Sequence, residues 1–180
     1  MTPDKLATVK SNIEASEGRI PWLYRDSGPN GWPTVGIGHA VFDYQSCMAI
    51  PFKPSITAAE WAALMAEPKA CRASFYQAVT KGRLSAADID SLLDADVAAK
   101  IAQLTAVVYG YENLPDGPQS ALLDMAFNLG VGGLTKGYPK LMAAVKSGDW
   151  QTAAAECHRN GISPGRNQQT ANLFLEGNNG

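Results

Sequence analysis

With 180 residues the chain is long enough for one well-buried domain and too short to make two the default. Hydrophobic residues make up 46% and charged residues 18%, with no low-complexity tract, which excludes a disordered chain. A net charge of -2 gives no general attraction for nucleic acid, and no apolar run approaches the ~18 residues of a membrane span.

Thr2 as N-cap and Pro3 at the first helical position open a helix in which Leu6, Val9 and Ile13 recur at helical spacing, and Gly18 closes it. Glu17 then stands at the C-terminal end of a helix over 3–17. The negative pole of the helix dipole disfavours a further negative charge there, which suits a proton donor. Residues 23–26 and 32–37 read as short strands about Pro29-Asn30-Gly31, where Asn-Gly is a tight-turn signal. Gly36 and Gly38 let the backbone of this β-ribbon pass close to another chain or a ligand. Between 43 and 82, prolines 51, 54 and 68 interrupt one helix that Thr57 caps ahead of Glu60, and no chemistry is assigned to the segment.

Ser85 to Asp88 forms a capping box, and Ile89, Leu92, Leu93, Val97, Ile101 and Leu104 mark one face of a long helix over 85–106. After the break at 115–118, residues 121–129 are apolar almost all round, the sign of a buried helix, and Asn128 on it calls for a partner or a cleft. Further helices follow at 139–146, closed by Gly148, at 150–159, closed by Gly161, and after Pro164. The fold class is α+β: mostly helical, with a small ribbon lobe (18–84), a connecting helix, and a helical lobe (113–180) near which helix 3–17 packs. All of 1–180 reads as a single domain with a cleft between lobes.

Two carboxylates, Glu17 and Asp26, and the Thr34 hydroxyl gather around the ribbon. One carboxyl donating a proton to a leaving oxygen while another serves the attacking side is the machinery of glycoside hydrolysis. His39 reads as a hydrogen-bonding buttress of the ribbon, and Glu14, one turn before Glu17, as an exposed helix residue and the fallback acid. His39, Cys157 and His158 lack zinc-site spacing, and neither a nucleophile elbow nor a dinucleotide loop occurs, so no metal and no cofactor is implied. Cys47, Cys71 and Cys157 read as reduced thiols, with a Cys47–Cys71 bridge as the alternative in an oxidising space.

Glu17-Gly18, Tyr24, Asp26, Thr34 and Gly36-Ile37-Gly38-His39 resemble the catalytic segment of the phage-type lysozymes, muramidases of the lysozyme-like superfamily. Residues 121–130, and the stretch from Leu141 through Trp150, Ala154, Pro164 and Arg166 to Phe174, resemble that family's C-terminal lobe, leaving 43–82 outside the likeness. The resemblance implies cleavage of the β-1,4 bond between N-acetylmuramic acid and N-acetylglucosamine, with inversion, on peptidoglycan glycan strands. Glu17 would be the acid, Asp26 the base or charge stabiliser, and Thr34 a holder of the attacking water. Gly38 and Asn128 would meet substrate, while Arg166, His39 and Tyr24 would support the site, Arg166 by reaching the catalytic glutamate. The Asp26–Thr34 loop is longer than the family's commonest spacing. Rival readings are a chitin- or chitosan-cleaving relative and a catalytically silent glycan-binding domain.

The first residues lack the pattern of a secretory signal. A monomer made in the cytoplasm and acting on the wall after release or delivery is expected, as an endolysin or a wall-degrading effector module. Delivery machinery or an inhibitor protein would be its partners, with neither nucleic acid nor membrane insertion involved.

Overall fold

A computed structural model describes residues 1–28 and 30–179, so the Pro29 part of the expected turn lies outside the described residues. The protein is mostly helical with one small antiparallel sheet, the α+β class expected. Two compact units can be described separately: residues 14–96, and residues 1–13 together with 97–180. Helices α1 (Pro3–Glu17) and α4 (Ala86–Val107) contribute to both.

In the first unit the ribbon consists of β1 (Ile20–Arg25), β2 (Pro33–Gly36) and the two-residue β3 (His39–Ala40), in that order across the sheet. The third strand was not anticipated; it is too short for a period-2 pattern to show in sequence. Tyr24 pairs with Thr34 and Arg25 with Pro33, with an irregularity between Ile20 and Tyr24. Leu23, Val35, Ile37 and Val41 of the ribbon region are buried, as are Ile89 and Leu93 in the first half of α4, whose Ile89 and Leu92 lie against Gly36. Gly36 has φ +67, and a Cβ on it would sit 3.6 Å from Ile89, so it supplies both a backbone twist and a close approach to α4.

Residues 43–82 pack against the first strand of the ribbon. They contain α2 (Tyr44–Met48), capped by Asp43, α3 (Ala58–Ala66), and a 3-10 segment (Ala73–Ala78). The expected capping box is present: Glu60 N–H donates to the Thr57 hydroxyl while Thr57 N–H donates to the Glu60 carboxylate. Phe52, Ile56, Leu64 and Tyr76 are buried within the segment. Fully burying each of these contributes about 1.5–3 kcal/mol. Trp22 Nε1 donates to the Ala73 carbonyl at 2.8 Å, and the Arg83 guanidinium lies 5.5 Å from the Trp22 ring centre. Cys47 and Cys71 are both free thiols, as is Cys157.

The second unit is built on α5 (Asp116–Gly137), α6 (Pro139–Ser147), α7 (Trp150–Glu156) and α8 (Pro164–Leu175). Residues 117–126 of α5 are buried all round, as the apolar run requires, but the helix breaks at Gly130, where φ is 69 and ψ 155. Gly148 closes α6 in the left-handed region. Helix α7 stops at Glu156, short of the expected 159. Arg159 explains the early stop. Its N–H donates to Asn167 Oδ1, its carbonyl accepts from Asn167 Nδ2, and its guanidinium turns inward to Asp124, so the main chain leaves the helix to place it. Among the described residues no helix is long and apolar enough to cross a membrane.

Candidate active site

Glu17 is the last residue of α1, half-buried, with Gly18 behind it at φ +76 closing the helix through a 2.8 Å bond from its N–H to the Glu14 carbonyl. On the ribbon, Gly38 runs past the same side chain: a Cβ at 38 would lie 3.6 Å from Glu17 Cγ and 3.7 Å from Oε2. With φ at +72, Gly38 is a position where glycine is needed for its backbone conformation, while a methyl there would make only ordinary contact with Glu17.

Asp26 follows β1 directly. Its N–H donates to the Trp32 carbonyl at 3.0 Å, which continues the Tyr24–Thr34 register by one further pair across the loop. Because side chains two apart share a face, Tyr24 and Asp26 of one strand and Trp32 and Thr34 of the other lie on one side of the ribbon. Asp26 Oδ1 accepts from the Gly28 N–H at 3.0 Å, and the Asp26 carbonyl accepts from the Ala70 N–H at 3.2 Å. Next to it, Arg25 donates to the carbonyls of Gly31, Met65 and Glu67. The longer loop is therefore stapled to the end of α3.

Tyr24 reports on both carboxylates. Burial of the ring pushes its phenol up to about 12, and the negative charges of Glu17 and then Asp26 push in the same direction. A single hydroxyl thus lies within electrostatic reach of both acids. Thr34 is 4% exposed and its hydroxyl donates to the Trp32 carbonyl at 3.1 Å. With its proton committed there, Thr34 can offer a further ligand only an acceptor lone pair.

His39 Nδ1 lies 2.9 Å from the Asp96 carboxylate on α4, which ties the third strand to the long helix. Glu14 accepts from Arg19 Nε at 2.7 Å and from Nη2 at 3.2 Å, while Arg19 also reaches Asp90. The Arg19 hydrogen bond holds the Glu14 carboxyl below its ordinary range, so Glu14 stays ionised and is a poor proton donor.

In the second unit Asn128 is exposed, so the premise that its amide is buried does not hold. The buried stretch of α5 ends at Ala126, two residues earlier. Arg166 presents Nε and Nη2 to Asp124 Oδ1 at 3.1 and 2.9 Å. Asp124 Oδ2 takes a 2.7 Å bond from Arg159. The sequence reading passed over Asp124 and Arg159, although a carboxylate in the middle of an apolar helix was a signal that a buried cation must exist. Trp32 was also passed over; folding residues 23–37 about their turn places it opposite Asp26. Among the described residues no group of histidines, cysteines and acids could hold a metal ion.

Residues 68–172, more than half of the chain, match the family described as phage lysozyme. The chain belongs to the phage lysozyme family. Membership makes it a lysozyme-type glycosidase with peptidoglycan as its class of substrate. The match starts inside the 43–82 segment, which the sequence likeness had left aside, and Glu17, Asp26 and Thr34 lie before its first residue. No curated protein matches the sequence.

Proposed function

We propose that this lysozyme-family protein cuts the β-1,4 bond between N-acetylmuramic acid and N-acetylglucosamine by general acid/base catalysis, with inversion at the anomeric carbon. Glu17 gives its proton to the departing glycosidic oxygen. Asp26 accepts a proton from water as that water attacks the opposite side of the ring, a division that needs carboxyls about 6.5–9.5 Å apart. Thr34 fits the water-holding role through its lone pair: one water hydrogen points to Thr34 Oγ1, the other to Asp26, and the oxygen is left facing the sugar. Gly38 has no side chain to stand between a sugar and Glu17.

What supports this reading is the ribbon's geometry: Gly38 passes Glu17, whose Cγ would lie 3.6 Å from a Cβ there, while Asp26 pairs with Trp32 on the face that carries Tyr24 and Thr34. Delivery to the wall, by release from a cell or as an effector module, completes the proposal. Digestion of purified peptidoglycan followed by mass spectrometry should give muropeptides with a reducing N-acetylmuramic acid end. Reducing N-acetylglucosamine ends, cleavage of chitin in preference, or binding without cleavage would each overturn it.

A further inference from the structure

We infer that Trp32, steadied by Phe42, is a stacking platform for one sugar ring of the glycan strand beside Asp26; the inference rests on the site proposed above. Both side chains are open to solvent, at 36% for Trp32 and 62% for Phe42, in a protein that buries most of its large apolar groups. The rings meet at 5.3 Å between centres with planes at 83°, an edge-to-face contact. That contact restrains the indole, which stays more than a third exposed. The main chain under it is held as well, since the Trp32 carbonyl accepts from both the Asp26 N–H and the Thr34 hydroxyl.

Register decides what this surface would meet. Trp32 and Asp26 form a cross-strand pair on the face that also carries Tyr24 and Thr34. A ligand lying over Asp26 and Thr34 therefore reaches Trp32 without leaving that face. A pyranose ring has a hydrophobic face of C–H groups and a polar rim, and it suits an indole next to a carboxylate. A protein partner closing over the same spot would bury the Asp26 carboxylate, a cost that a hydroxyl-bearing ligand offsets by hydrogen bonding.

The test uses the full chain and a soluble, uncrosslinked glycan tetrasaccharide of alternating N-acetylmuramic acid and N-acetylglucosamine. Trp32→Ala should raise KM roughly tenfold with kcat within about twofold, the pattern of lost ground-state binding at an exposed aromatic anchor. In a Glu17→Gln background, calorimetry should show a similar loss of affinity, Trp32→Tyr should restore most of it, and Phe42→Ala should weaken binding less. Unchanged KM and affinity in a folded Trp32→Ala protein overturn the platform, even where Glu17→Gln abolishes turnover. Undiminished turnover in Glu17→Gln overturns the underlying site instead. Should Trp32→Ala fail to fold, Phe42→Ala decides: its side chain is mostly in solvent, and unchanged affinity there also overturns the inference.

Discussion

Asp26 and Asp124 show how differently the two units treat a carboxylate. Asp26 is half-buried at the end of a strand; its described side-chain partner is the Gly28 N–H, while its main chain is pinned on two sides. Asp124 is enclosed by Arg159, Arg166 and the Thr170 hydroxyl. In the ribbon the backbone is rigid and the charge remains available to a ligand. In the helical unit the charge is consumed by structure, and two guanidinium nitrogens of Arg159, Nε and Nη1, remain buried with no hydrogen-bond partner. A buried ion cluster of that kind is weak as a source of stability but severe when broken.

The contrast can be broken by substitution. Asp26→Asn should lower kcat by about a hundredfold to ten-thousandfold, as expected for a lost general base, yet shift unfolding free energy by no more than about 0.5 kcal/mol. Muropeptide release and urea titration measure the two halves of that expectation. Asp124→Ala should do the reverse, destabilising the fold by about 3–5 kcal/mol because it strands Arg159 in the interior. If Asp26→Asn unfolds the protein, or Asp124→Ala leaves its stability intact, the distinction fails.

Smaller effects sharpen it. Gly38→Ala should cost about 1–2 kcal/mol through its positive φ alone, since the added methyl makes only ordinary contacts with Glu17. Acid titration of stability probes Glu14. Its folded carboxyl is held below the ordinary 4.5 by Arg19, so its contribution is present above that value and disappears as pH falls through the lowered one. Glu14→Gln should therefore flatten that part of the acid limb, read by thermal melts at stepped pH. The smallest effect is the most diagnostic of the site: Glu17→Gln and Asp26→Asn should each bring the Tyr24 phenol slightly down from about 12, followed by ultraviolet titration.

Local signals were legible in the chain, and distant ones were not. Thr57 with Glu60, Ser85 with Asp88, and Gly148 mark helix ends through contacts within a few residues, and all three act as the sequence implies. The end of α7 was misread because Arg159 leaves the helix for Asp124 and Asn167, which no periodicity records. The same holds for 43–82: its hold on the ribbon runs through main-chain carbonyls at 65 and 67, which accept from Arg25 whatever side chains those positions carry. Within the site, the glycines at 36 and 38 announced a close approach of backbone. Trp32 did not stand out, since its importance depends on register and not on its neighbours in the chain.

The Ala70 N–H bonded to the Asp26 carbonyl has a practical corollary for protein engineers. A minimal ribbon excised or grafted without residues 65–73 would leave Trp22 without the Ala73 carbonyl and Arg25 with only that of Gly31, and the acid-bearing loop would lose its Ala70 anchor. Shortening this enzyme should therefore begin elsewhere than at residues 65–73.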